Sequence, residues 1–144
     1  MSSYISAELR RIVYDRAKGC CEYCLIPESV SFATHQIDHI IAQKHQGKTT
    51  LDNLALCCTL CNKHKGSDIA SIVPETGEIT ALYHPRNDIW TDHFTIVEAQ
   101  IIPLTPKGQV TVSLLQLNSL NRVEERSLLL KAGVIKPTNQ EKNK

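Results

Sequence analysis

The sequence lacks any long apolar run. Nothing in it approaches the length of a membrane span, so neither a transmembrane segment nor a membrane partner is expected. The start, MSSYISAELRRIVYDRAKG, lacks the basic stretch, apolar stretch and cleavage site of a secretory signal, and the expectation is a cytoplasmic protein. There is no excess of either charge: 16 Lys and Arg stand against 15 Asp and Glu, for a net charge of +1. Residues 1–66 carry eight basic against six acidic side chains, and the remainder eight against nine. Such balance neither demands nor excludes a polyanionic partner, because a local basic patch would not register in it. Internal repeats, low-complexity segments and a recognisable helix-turn-helix are also missing. Finally, no cysteine falls outside two clusters, Cys20, Cys21, Cys24 and Cys57, Cys58, Cys61. In a reducing compartment disulfides are not the default, and clustered cysteines ask for a metal.

What is present suffices for one ordinary core or for a small metal-stapled unit with an extension: 144 residues, 42% of them hydrophobic. Ser6 is placed to cap a helix over Ala7–Lys18, with Leu9, Ile12, Val13 and Ala17 on one face and Gly19 as the stop. Ser31–Ala33 and Gln36–Ile41 read as two short strands, followed by the polar loop AQKHQGK. Thr49 or Thr50 could cap a helical turn over LDNLA, and CTLC leads into a helix over Asn62–Asp68. Beyond Asp68, IASIVPETGEITAL reads as two strands about a Pro-Glu-Thr-Gly turn. Trp90, Phe94, Ile96 and Val97 suggest another hairpin arm, broken by PKG at 106–108. Helices are expected over TVSLLQL and over Asn121–Ala132, before a polar tail. The division expected is a core at residues 1–70 and a strand hairpin and helical extension at 71–144.

Cys21-x-x-Cys24 and Cys58-x-x-Cys61 form two knuckles with repeated spacing. Four thiolates in a tetrahedron suit Zn²⁺ and leave no position for substrate, so this metal is expected to be structural. Its binding energy would then be folding energy. Pairings through Cys20 or Cys57 remain open, although either could be a small apolar core residue.

Asp38 and His39 are neighbours on a predicted strand, where successive side chains point to opposite faces. A division of labour follows: Asp38 supplies a hard oxygen ligand, and His39 takes a proton from water. Asn62 offers a second oxygen at the start of the next helix, beside Cys61. A cation such as Mg²⁺ would complete its shell with water and phosphate oxygens. The chemistry indicated is metal-assisted phosphodiester hydrolysis. Against this, Asp-His can be a surface pair and Asn62 or Asn53 a simple cap.

CEYC, IDHI, LDNLALC and CTLCNKHKG together resemble the His-Asn-His (HNH) endonuclease family, over about Tyr14–Asp68. The resemblance implies an α+β fold: a small ββα-metal nuclease core stapled by a four-cysteine zinc site, with an N-terminal helix and a C-terminal strand and helix extension. It implies a DNA endonuclease using one Mg²⁺ or Mn²⁺ beside the structural Zn²⁺. His39 would be the general base and Asp38 an ion ligand. Asn53 would be the middle Asn that fixes the strand–loop geometry. Asn62 would stand in the third position as an ion ligand, where the family name has His. Lys65 matches a basic residue that touches phosphate. Lys48 on the polar loop, and His35, four residues before His39, are further candidates for DNA contact; either could be an ordinary loop or strand residue. Arg86, Lys107, Arg122 and Arg126 could meet backbone phosphates or be surface charge. DNA is the expected partner, with a homodimer or a protein partner supplying specificity. The alternative is a non-catalytic zinc-stapled module that binds nucleic acid or protein.

Overall fold

The computed structural model describes residues 4–136, and the polar tail expected from 137 onward lies outside them. The chain forms a small α+β fold with a β-β-α core, preceded by a helix and followed by further strands and helices. It divides into two compact units. One comprises the residues up to Ile69 together with His84–Asn87; the other comprises Ala70–Tyr83 and the chain from Asp88.

In the first unit, α1 (Ala7–Arg16) begins where Ser6 Oγ accepts from the Leu9 amide at 3.2 Å. That bond satisfies one of the orphan amides of a first turn. Val13 on α1, with Ile5, Leu9 and Ala17, packs against Leu54 and Leu56. Strand β1 (Gln36–His39) runs antiparallel to β2 (Leu54–Cys57), with Gln36 opposite Cys57 and His39 opposite Leu54. Alternation then sorts the side chains. Ile37, Leu54 and Leu56 join the α1 core, while Gln36 and Asp38 turn towards α2 (Thr59–Lys65).

The partner strand differs from the one expected. Ser31–Ala33 is a bend after a single 3₁₀ turn at Glu28–Val30, with Phe32 fully exposed. Leu54–Cys57 is the strand, preceded by a 3₁₀ turn at Leu51–Asn53. All four residues of β2 are buried, so the segment shows no alternation and its period is unreadable.

In the second unit, β3 (Ala70–Ile72) and β4 (Ile79–Ala81) form the hairpin about Pro-Glu-Thr-Gly. A short α3 (Trp90–His93) leads into the hairpin of β5 (Phe94–Val97) and β6 (Gln100–Pro103). Pro106 does not break structure; it opens α4 (Pro106–Leu114), with Thr105 as the cap. The first helical position tolerates proline because its missing N–H would be unpaired anyway. α5 (Leu120–Lys131) completes the unit, and Val73, Leu82 and Val110 centre one of its cores. No helix among the described residues is long and apolar enough to cross a membrane.

Four basic residues that could have met backbone phosphates are engaged within the protein. Arg122 and Arg126 are buried and donate to the carbonyls of Leu115, Ala99 and Leu117 at 2.8–2.9 Å, closing the chain after α4. Lys107 pairs with Asp88 at 3.0 Å, and Arg86 with Glu22. An Arg fork satisfies several carbonyls at once, which suits the unpaired end of a helix.

Candidate functional site

The sulfur pairing with repeated spacing is the one the fold assembles. The Sγ atoms of Cys21, Cys24, Cys58 and Cys61 all lie within 4.8 Å of one another, and all four residues are buried. Cys24 and Cys58 approach to 3.7 Å. Four sulfurs about 2.3 Å from a tetrahedral zinc would sit about 3.8 Å apart, so the cluster fits Zn²⁺. Backbone amides also point at the sulfurs. Those of Tyr23 and Cys24 donate to Cys21 Sγ at 3.4 and 3.5 Å, and that of Cys61 donates to Cys58 Sγ at 3.4 Å. The last bond makes Cys58 the cap of α2, so one residue serves both the cluster and the helix.

Burial pushes the Cys21 thiol well up, and hydrogen bonds from neighbouring sulfurs do the same for Cys58 and Cys61. Binding a cation at this donor set would displace those protons, because the ligating form is the thiolate. Cys57 is buried at the end of β2, and Cys20 is half-buried with Sγ directed at the Lys18 carbonyl. Neither belongs to the four.

The first knuckle is joined to the sheet. Glu22 N–H donates to the Leu56 carbonyl at 2.9 Å, and the Leu56 amide donates to Glu22 Oε2 at 2.8 Å. Glu22 thereby satisfies the outer edge of β2, and Arg86 closes on its other oxygen. The knuckle also brings Tyr23, 1% exposed, to Asp38, its hydroxyl donating to Oδ2 at 2.9 Å.

Asp38 is only 5% exposed and is held a second time, by Lys65, which is 2% exposed. The Lys65 ammonium lies 3.2 Å from Asp38 Oδ2, 3.1 Å from the Ile40 carbonyl and 3.5 Å from that of His39. Its three N–H donors thus face one carboxylate and two carbonyls. Burial raises the Asp38 carboxyl above its usual range, against the pull of Lys65 and Tyr23. Burial first, and then the Asp38 charge, push the Tyr23 phenol up in turn. Replacing Lys65 with Met should leave this carboxylate buried and uncompensated, a loss of about 3–5 kcal/mol. The unpaired carboxyl would bind its proton more tightly folded than unfolded, so the deficit is full at neutral pH and fades as pH falls. Urea unfolding of Lys65→Met and wild type at two pH values checks both the size and the trend.

One rung further along, Asn62 Nδ2 donates to Gln36 Oε1. Gln36 and Asp38 of β1 therefore meet Asn62 and Lys65 of α2, two strand positions against two positions one helical turn apart. Gln36 and Asp38 are thus each engaged by α2. His39, the last residue of β1, is half-buried, its Nε2 2.9 Å from Thr49 Oγ1.

Asn53 is buried and fixes the loop between the strands. Its Oδ1 accepts from the Ile41 amide at 2.9 Å, and Nδ2 donates to the carbonyls of Ile41 and Lys48 at 2.9 and 2.8 Å. Gly47 is packed into this staple; a Cβ there would lie 1.7 Å from the Ile41 carbonyl oxygen. Lys48 keeps an exposed side chain. Lys65, as described, is turned inward, and so is His35. The His35 ring Nε2 lies 2.9 Å from the Ile26 carbonyl oxygen, and its backbone amide donates to Glu28 at 2.7 Å. Tyr23 and Gln36 carried no expected role from sequence, and Thr49 was expected only as a helix cap. Only Tyr23 had a signal, its place inside the CEYC knuckle.

Comparison with known proteins gives one family. Residues 21–68 match the family described as HNH endonuclease. No curated protein matches the chain, and no solved structure does.

Proposed function

We propose, from the premise that residues 21–68 are an HNH-family domain, that this protein is a metal-dependent endonuclease acting on DNA. One observation supports the reading: alternate residues of β1 engage α2, Gln36 with Asn62 and Asp38 with Lys65. Asp38 and Asn62 offer hard oxygen donors, and they would hold Mg²⁺ or Mn²⁺, ions that fill the rest of their shells with water and phosphate oxygens. Bound there, the ion would neutralise phosphate charge and stabilise the 3′ leaving oxygen. His39 takes the proton of the attacking water. With Nε2 donating to Thr49 Oγ1, the accepting atom is Nδ1. Asn53 holds the loop that carries Thr49, and thus the imidazole's partner. Lys48, exposed on the same loop, is the proposed phosphate contact. The Cys21, Cys24, Cys58 and Cys61 site carries a structural Zn²⁺ and takes no part in the chemistry. Products would be a 5′-phosphate and a 3′-hydroxyl, and cutting both strands would call for two copies or a partner.

A specific observation favours a second reading. The Asp38 carboxylate is already engaged by Tyr23 and Lys65, which would suit a zinc-stapled nucleic-acid-binding module without catalysis. Zinc-loaded protein incubated with supercoiled plasmid, with and without added Mg²⁺ or Mn²⁺, separates the two. Nicking that needs the added ion is the expected result. Strongly salt-dependent DNA binding with no cleavage of supercoiled, linear or single-stranded DNA would sink the nuclease reading and leave the binding module.

A further inference from the structure

We infer that Gln36 is the positioning residue that aims Asn62 at the catalytic cation, an assignment resting on the nuclease reading above. The backbone of Asn62 is set by its surroundings. Its amide donates to the Cys58 carbonyl at 2.9 Å, its carbonyl accepts from Gly66 at 2.9 Å, and Cys61 beside it belongs to the sulfur cluster. None of these fixes the side chain. An asparagine amide has two faces of nearly the same shape, an oxygen that ligates a hard cation and an NH₂ that repels one, and only hydrogen bonding tells them apart.

Gln36 supplies that distinction. It lies on β1 two residues before Asp38, on the same face of the strand, and its Oε1 accepts from Asn62 Nδ2. The NH₂ group is thereby turned to the strand, and Oδ1 is the atom left to ligate. The rung Gln36–Asn62 then sets one donor as the rung Asp38–Lys65 sets the other. Outer partners of metal ligands commonly carry this kind of control, and losing one costs about 10–100-fold in metal affinity.

The test uses the zinc-loaded full chain and Mn²⁺ as the probe, titrated by electron paramagnetic resonance. Gln36→Leu removes the acceptor and should weaken Mn²⁺ binding at least tenfold. Gln36→Glu keeps an oxygen for Asn62 Nδ2 and should bind Mn²⁺ at least as tightly as wild type. Gln36→Lys, which can only donate, should behave like Gln36→Leu. The Asn62 side-chain NH₂ resonances, independent of metal and activity, should be slowed in exchange in wild type and Gln36→Glu and fast in Gln36→Leu. Gln36 is exposed, so the variants should unfold at the wild-type temperature. Wild-type Mn²⁺ affinity in Gln36→Leu overturns the positioning role and leaves the nuclease reading intact. Weakened binding in Gln36→Glu overturns it too, since an acceptor at position 36 would then not be what presents the Asn62 oxygen. No Mn²⁺ binding by wild type removes both this inference and the cation site beneath it.

Discussion

Exchanging Cys58 for Ser should cost the first unit its fold. The zinc should be lost, the dispersed amide resonances of residues 4–69 should collapse, and their cooperative thermal transition should vanish. The magnitudes decide this. Structural zinc contributes about 10–16 kcal/mol in small zinc-dependent folds. A whole domain is stable by only about 5–15 kcal/mol, so losing the metal removes as much as the unit has. Among the described residues, Ile5, Val13, Leu54 and Leu56 form one buried apolar cluster, with Leu9, Ala17, Ile37 and Leu51 around it. The sulfur cluster also ties together what that apolar cluster does not. It joins the knuckle carrying Glu22 and Tyr23 to the start of α2, whose cap is the Cys58 sulfur itself. Cys20→Ser is the control. Its sulfur stands outside the four, and zinc content and unfolding temperature should stay near wild type. Resonances of the core at Val73, Leu82 and Val110 should persist in Cys58→Ser, because no cysteine lies among them. A zinc-free Cys58→Ser protein that still unfolds cooperatively at the wild-type temperature would end the structural-zinc account.

Legibility followed how far each signal is local. The two knuckles could be read because spacing along the chain is itself the signal, and the four sulfurs that repeat it are the four that converge. Ser6 and the faces of α1 were readable because capping and helical period are also local. β2 was not: a strand buried on both faces loses its alternation, and Leu54–Cys57 resembled the end of a helical turn. The side-chain partners were less legible still. Nothing around Lys65 tells an exposed phosphate contact from an ammonium buried on Asp38, because the difference lies 27 residues away in the chain. The same holds for Arg122 and Arg126, whose acceptors are carbonyls, and carbonyls leave no mark in a sequence. The pair Gln36–Asn62 required the register of β1 against β2 and the placement of α2, neither of which the sequence supplies.

Replacing His39 with Ala should lower the cleavage rate about 10²–10⁴-fold, the usual worth of a positioned general base. The protein itself should be little disturbed. The half-buried side chain makes one hydrogen bond, to Thr49, worth about 1 kcal/mol. Duplex binding and its dependence on salt should stay as in wild type, since phosphate contacts set both and the imidazole is not proposed as one. Two further variants separate a base from a strut. Thr49→Val keeps the imidazole and removes its partner, so the ring is present but free to turn. Its loss should be real and smaller than that of His39→Ala. In His39→Gly the vacated space can admit imidazole from the buffer, and added imidazole should restore part of the rate. A residue that only braced β1 would not be replaced in that way, because a free small molecule cannot carry strain between strand and loop. Single-turnover nicking of supercoiled plasmid at saturating protein isolates the chemical step from binding. Wild-type nicking by His39→Ala in that assay would remove the imidazole from the reaction. The proton would then have to leave the attacking water by another route, with Asp38 and Asn62 still the ligands in question.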